Sequence, residues 1–461
     1  MNLFENAGIN NNNHNSDKKS ISFIKNLTGF SIKRMDIFLI LVILILVISP
    51  FIIRLIVKKA EIKPKIVNLS LSLRSEELLG KNATEMLINE FNENNPGIVI
   101  SIQEEDTPPD IIIFDEGEFS PLVDTGMLAA LSLFYNWDDT DNLESEEEHF
   151  DEEQVRQIQQ TEEFQFAIPL VSFMDMLFYN IEILSSAGFD HPPKTREEYL
   201  TYVRDVSRRN NPGVSGSALS LNSEDHRALS RDVFSWIWAS GGNFLADENK
   251  PSLSSTTSMR AITGDFTFLN SIYREVQLQG VFEKTGRQRL DEFANGQIAL
   301  MIASTRDIPY LREKMGDKTF GVTSIPDLGS GGRYSVNLSS IYAGINSFSA
   351  HTDEDSIQAM TSFLKFLSEK SAVLCAELNA VPGSVLSLIP GDYVKNDPFY
   401  SKAWDIFESS LIVQGFSGKP GAEEYETIFL EELKIFFEGG RNSVQTVTAI
   451  QQRWDEVSAN R

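Results

Sequence analysis

Between Ile66 and Leu73 apolar and polar residues alternate, with Val67, Leu69, Leu71 and Leu73 on one face, and this period of two predicts a first β-strand. Ser75 is placed to cap a helix behind it. From Glu76 to Asn92 the residues Leu78, Leu79, Met86, Leu87 and Phe91 recur near helical spacing, until Asn94-Asn95-Pro96-Gly97 stops the helix. Ile98 to Ile102 reads as a second strand. Asp110-Ile111-Ile112-Ile113-Phe114, an apolar run behind Pro108-Pro109, reads as a third, buried on both faces. Strand, helix, strand, strand is an α/β beginning, and in such sheets the loops at the carboxyl ends of the strands form the natural ligand surface. Here those loops are Arg74-Ser75 and Asp115 to Phe119.

The alternation of elements continues to the end of the chain. Strands are expected at Phe164 to Ile168, Leu177 to Tyr179, Gln297 to Ala303, Phe320 to Ile325 and Ser339 to Asn346. Helices are expected at Arg196 to Arg209, Arg227 to Ser240, Ser258 to Glu275, Asp355 to Leu378, Tyr425 to Phe437 and Val444 to Val457. Because the two kinds are mixed along the whole length, the fold class is α/β rather than separate α and β modules. No internal repeat at a fixed period is present. Ten carboxylates between Asp138 and Glu153 lack the order and the glycine of a calcium loop and read as a solvated surface segment.

Upstream of the first strand the pattern is different. Residues 1–35 are Asn- and Ser-rich with no apolar period and read as a disordered tail. Residues 36–57 hold an almost unbroken apolar run, Ile37 to Ile53, which Arg54 extends to Val57 by snorkelling, about 30 Å of helix at 1.5 Å per residue. No small-x-small cleavage site comes after it, so this segment is expected to be an uncleaved transmembrane helix joined to the rest by a linker over 58–65. Basic residues flank it on both sides, and the charge rule alone leaves its orientation open.

Composition then narrows the function. The 461 residues carry 66 acidic and 40 basic side chains, a formal net charge of −26, and 41% are hydrophobic. That length supplies core for two or three domains or one two-lobed unit, while the acidic balance argues against a nucleic-acid partner. Cys375 is the single cysteine, which excludes an internal disulfide, a multi-cysteine zinc site, an iron–sulfur centre and an early lipid-bearing cysteine. His14, His149, His191, His226 and His351 include no pair within five residues, so no HExxH exists. With no G-x-S-x-G or P-loop either, no catalytic residue, metal site or cofactor is expected.

Several segments, in order, resemble one family. Thr107-Pro108-Pro109-Asp110 with the strand behind it, then Gly126-Met127-Leu128 and Leu131, resemble a "PDv…G-L-l-L" stretch. Ala167-Ile168-Pro169 with Leu177-Phe178-Tyr179-Asn180 resembles "lP…lyYN", and Ala187-Gly188-Phe189 with Pro192-Pro193-Lys194-Thr195 and Glu198 resembles "aGl-PPkTwdE". Phe293 to Met301, Phe320-Gly321-Val322 with Ile325-Pro326, Ala343 to Asn346, Phe363 to Leu367 and Asn379 to Pro382 complete the series. Together they are similar to the family 1 extracellular solute-binding proteins, the maltose-binding-protein-like receptors of ABC importers.

The resemblance implies a two-lobed periplasmic-binding-protein type II fold with a ligand cleft between lobes, preceded here by a single transmembrane helix. The expected crossings lie near Pro169 and Pro326, giving a first lobe of 66–169 and 326–368 and a second of 170–325 and 369–461. It also implies the location: the cytoplasmic membrane, single-pass, with the C-terminal domain outside and the tail inside. Residues 60–461 then carry 32 basic and 63 acidic side chains, a net of −31. The implied function is a receptor that closes on a small solute, expected to be a carbohydrate, and delivers it to ABC permease subunits. The alternative is a non-transporting sensor or surface-interaction protein keeping the same fold. The chain departs from the family in leaving no room for a helix between Ile102 and Asp110.

Sugar receptors stack planar side chains on ring faces and exchange hydrogen bonds with hydroxyls. By position in the motifs, the candidates are Arg74, Asp115, Glu116, Glu118 and Phe119 at the first-lobe strand ends, with Phe173 and Asp175 after the first crossing. Trp236, in a segment resembling a cleft-lining "ftW…GG" stretch, Arg306 after a later strand, and Tyr342 near the last one complete the set. Each has a structural alternative: Asp115 as a helix cap, Arg74 and Arg306 in ion pairs with a nearby carboxylate, and one of Trp236 and Trp238 in the core.

Overall fold

The structure is a computed structural model that describes residues 66–74, 79, 81–103, 108–131, 166–208, 213–242, 244, 251–253, 256–276, 280–327, 334–378, 380–382, 396–413, 415–416 and 419–460. The expected tail, transmembrane segment and linker and the acidic stretch at 138–153 lie outside these residues. Among the described residues no helix is long and apolar enough to cross a membrane.

The strands are β1 (Val67–Leu73), β2 (Ile98–Ile102), β3 (Ile111–Asp115), β4 (Ala167–Asn180), β5 (Ser215–Ser217), β6 (Ile298–Ser304), β7 (Phe320–Thr323), β8 (Ser335–Ile345), β9 (Val381–Pro382) and β10 (Leu411–Val413). The helices are α1 (Lys81–Asn94), α2 (Glu116–Asp124), α3 (Ile181–Ser186), α4 (Arg196–Arg208), α5 (His226–Leu229) and α6 (Ser235–Ala239), with a π-helical turn Ser230–Phe234 joining the last two. They continue with α7 (Thr256–Val276), α8 (Gly286–Ala294), α9 (Ile308–Met315), α10 (Glu354–Glu369), α11 (Ser371–Leu378), α12 (Pro398–Ser409), α13 (Ala422–Phe437) and α14 (Ser443–Asn460).

The sheet order is β2-β1-β3-β8-β4-β6-β5. β1 is parallel to β2 and β3, and β8 lies antiparallel to both β3 and β4. On the far side β4 pairs antiparallel with β6 and β7, and β5 runs parallel to β6. β3 is buried on both faces as its apolar run predicts: Ile111 and Ile113 join one core, Ile112 and Phe114 another, all at 0% exposure.

Hydrophobic packing divides the described residues into two lobes that share β4 and β8. The first core gathers β1 to β3, α1, α10 and α11, and takes Ile168 to Phe173 from β4 together with Ile341, Ala343 and Ile345 from β8. The second lobe takes Met174, Met176 and Phe178 of β4 and Val336 of β8 into one cluster, and Leu177 into a larger aromatic-rich one with α4, α6, α7, α13 and α14. Both strands therefore leave one core and enter the other, paired from Ala167–Gly344 to Met174–Leu338. A bulge between Pro169 and Val171 absorbs the missing donor of the proline. Away from these strands, the Gly421 amide at the start of α13 donates to the Asp124 carboxylate at the end of α2, 3.3 Å across the lobes.

Three expectations differ from this picture. The described part of Phe164 to Ile168 and the segment Leu177 to Tyr179 belong to one strand; the residues between them are apolar except Ser172 and Asp175, and burial on both faces hides the alternation. The second crossing is made by β8, whereas Pro326 belongs to the second lobe, where its carbonyl accepts from Arg196 Nε at 3.1 Å. The helix expected from Asp355 to Leu378 is two, separated at Lys370, and Leu374, Cys375 and Ala380 pack in the first core.

Arg196, at the start of α4, ties the second lobe together. Its guanidinium pairs with Asp265 of α7, donates to Ser240 and to the Trp236 carbonyl (2.7 Å), and lies 4.7 Å from the Phe268 ring centre. A pair this deeply buried costs little as a unit and much when halved. Arg196→Met should therefore destabilise the protein by about 3–5 kcal/mol in urea unfolding, and adding Asp265→Leu should recover most of that loss. A double variant as unstable as the single one would contradict this.

Candidate functional site

Strand register alone brings the carboxyl ends of one strand from each lobe to the same stretch of the crossing pair. Along β8, Phe114 stands opposite Tyr342 and Asp115 opposite Ile341 on one side, while Phe173 stands opposite Ser339 on the other. Two residues further along β4, Asp175 stands opposite Ser304 at the end of β6.

On the first-lobe side, Asp115 N-caps α2 by accepting from the Gly117 amide at 3.0 Å, so the residues expected in a loop form the first turn of a helix. This fixes Glu116, Glu118 and Phe119. Phe119 is mostly buried, 4.6 Å from the Tyr342 ring and 5.4 Å from Phe114. Burial, then the Glu116 charge, pushes the Tyr342 phenol up, opposed by a hydrogen bond with Ser340. Arg74 and Glu118 make a half-exposed pair at 3.7 Å, and Arg74 Nη2 also donates to the Met127 sulfur at 3.0 Å. Burial raises the Glu118 carboxyl, Arg74 opposes that, and Asp115 adds to it.

The second lobe supplies a denser group. Asp175 is pushed up to about 6 by burial, with Arg227 and Arg231 opposing the rise and Glu116 and Asp307 reinforcing it. Ser235 donates to its Oδ2 at 3.4 Å. Arg231 is buried, its Nε donates to Asp232 at 2.7 Å, and Asp232 also accepts from the Ser220 amide at 2.6 Å. The guanidinium lies against the α-carbon of Gly286, where an added Cβ would come within 2.3 Å of Nη1. Arg231 and Asp232 sit in the π-helical turn, a local widening that shifts the side chains of one turn relative to a regular helix and recurs at functional sites. After β6, Ser304 and Asp307 close a capping box, and Arg306 holds its guanidinium 5.4 Å from the Phe173 ring centre.

The structure thus brings Glu116, Phe119, Tyr342, Asp175 and Arg306 around the crossing strands, with Arg74, Asp115 and Glu118 beside them at the first-lobe strand ends, whereas Phe173, at 3% exposure, packs in the first core beneath the Arg306 guanidinium. Trp236 is corrected to a core residue. At 1% exposure it packs edge-on against Tyr199 (4.9 Å) and beside Phe268 (4.8 Å), with Arg196 over its ring, which leaves no face for a ligand. Trp238 is equally buried, against Phe234 and Phe244. Arg227 and Arg231 escape the motif reading. Their signal is an i, i+4 arginine pair just ahead of the aromatic stretch. Among the described residues no group of three or more His, Cys, Asp or Glu could hold a metal ion.

A family model described as bacterial extracellular solute-binding protein matches residues 87–398. A Deinococcus radiodurans protein named "Probable ABC transporter-binding protein" is 21% identical over 257 residues, 53% of this chain, and the chain spans 57% of that relative's length. Among solved structures, a cyclic alpha-maltosyl-1,6-maltose binding protein from Arthrobacter globiformis superimposes with a TM-score of 0.66 at 17% identity, covering 86% of this chain and 100% of its own. Maltose-bound MalE3 of T. maritima gives 0.61 at 17%, covering 85% and 100%. UgpB of Mycobacterium tuberculosis in complex with glycerophosphocholine gives 0.62 at 16%, covering 86% and 98%. These likenesses establish the two-lobed fold.

The raised Asp175 carboxyl has a measurable consequence. The folded chain holds that proton up to about pH 6, whereas an unfolded aspartate releases it near pH 3.9. The stabilisation is complete below the lower value and is lost as pH rises through the upper one, a drop on the order of 2 kcal/mol after allowance for partial exposure. Asp175→Asn should remove this component, so in urea unfolding the variant should gain stability relative to the parent between pH 4 and pH 6.5. Parallel pH profiles would contradict it.

Proposed function

Because the chain belongs to the bacterial extracellular solute-binding proteins, we propose that it is a receptor of an ABC importer that binds a small carbohydrate between its lobes by hinge closure and hands it to membrane permease subunits. The observation that carries this reading is the convergence of aromatic rings, carboxylates and guanidiniums from both lobes on the two strands the lobes share. Such a mixture suits a polyhydroxylated solute, whose hydroxyls donate and accept at the same carbon and whose ring faces are apolar. The maltose and maltosyl ligands named for two structural neighbours support the same class.

The same proposal includes location. Residues 36–57 anchor the receptor in the cytoplasmic membrane as an uncleaved single span, the tail stays inside, and residues 60–461 work outside. An anchor keeps the receptor at high local concentration beside its permease without restraining hinge motion.

Isothermal titration of the purified full-length chain with neutral mono-, di- and trisaccharides should give a saturable heat for at least one, with a micromolar or tighter dissociation constant and a binding-dependent rise in melting temperature. Absence of both signals across the panel would contradict the carbohydrate reading.

A further inference from the structure

Neither the packing of the lobes nor the motif-derived residues account for Arg227 and Arg231. The Nη2 atoms of both are buried and have no hydrogen-bond partner among the described residues. A buried guanidinium nitrogen left in this state is costly unless something completes it. Both arginines act on Asp175, which lies at the register position where β4, β6 and the second-lobe turn meet. Arg231 is held from behind by Asp232 and by the bare α-carbon of Gly286, so its position does not depend on a ligand.

The charges around the pair decide which group it accepts. Asp175 feels both arginines, Asp307 and the bonded Asp232 act on Arg231, and Glu116 acts on Asp175. Four carboxylates therefore share one cluster with two guanidiniums, and counting Arg306 above Phe173 as a third still leaves the group one charge negative. A free carboxylate or phosphate on the ligand would be repelled. A hydroxyl would not, because it accepts from a guanidinium with one lone pair while its proton goes to a carboxylate.

We infer that Arg227 and Arg231 form the donor half, and Asp175 the acceptor half, of a subsite for adjacent hydroxyls of an uncharged sugar, and that this subsite discriminates against the corresponding sugar acids. The inference rests on the carbohydrate reading and adds to it the residues and the charge preference. Arg227 is the residue to change, since it is only partly buried and no hydrogen bond to a described residue fixes it, whereas Arg231 is locked to Asp232.

The test uses the full-length chain and titrates each neutral sugar of the panel beside its uronic or aldonic acid, with the parent protein, Arg227→Gln and Arg227→Lys, all checked by thermal melting for an unchanged fold. The parent should bind a neutral sugar about tenfold or more tighter than its acid, and Arg227→Gln should weaken the neutral sugar by about tenfold to a hundredfold. Arg227→Lys should recover part of the loss. If the parent binds neutral sugars and Arg227→Gln binds them equally well, or if the acids bind more tightly, the subsite is wrong while the carbohydrate reading stands. If the parent binds no member of the panel, both fall together.

Discussion

Everything in the described part of the molecule depends on one pair of strands staying in register. β4 has 14 residues, about 46 Å of extended chain, long enough to belong to two cores in succession. β8 runs back beside it through 11 residues. The buried middle of the pair holds a hydroxyl contact, Ser172 with Ser340 at 2.6 Å, next to the Tyr342 phenol that also bonds Ser340. A slip of one residue would turn every side chain to the other face, burying Asp175 in a core and aiming a core methionine at the site. Two strands joined this way can twist and bend, but they cannot be pulled apart without breaking a ladder, which is the mechanical requirement of a hinge between lobes.

The chemistry of the site derives from that constraint. Because β3 and β6 end against the same stretch of the pair, side chains at the ends of elements from both lobes meet without any dedicated loop bringing them there. Helix starts then fix the individual residues: Asp115 caps one, and Ser304 with Asp307 caps another. The group is dense in charge yet close to balanced, which is the physical ground of the proposed preference for hydroxyls over a net ion. If the strand pair bends as proposed, a ligand touching both lobes would shift the equilibrium between their spacings by as much as it prefers one.

Much of this is legible in sequence where the physics is local. The isoleucine run of β3, the stop after α1 and the caps of later helices are set by neighbours a few residues away. The band of candidate residues around the strands is legible through motif order, since a motif carries its fold's long-range register with it. What stays hidden is set by tertiary packing. The continuity of β4 is masked because residues buried on both faces show no alternation. Trp236 sits in a segment expected to line the cleft, but Tyr199, Phe268 and Arg196 claim its ring, and only the three-dimensional partners reveal that. Arg227 and Arg231 look like any helical arginine pair until Asp175, some fifty residues earlier, is placed against them.

If the two lobes close on a solute by bending at β4 and β8, the distance between them measures the motion most directly. Val99 in the first lobe and Val444 in the second are exposed, at 38% and 56%, and the native Cys375 is buried at 2%, so cysteines placed at the two valines can be spin-labelled selectively. Pulsed dipolar spectroscopy of Val99→Cys/Val444→Cys should show the label separation shorten and its distribution narrow when a neutral sugar that gives binding heat is added. An identical distribution with and without that bound sugar would contradict hinge closure.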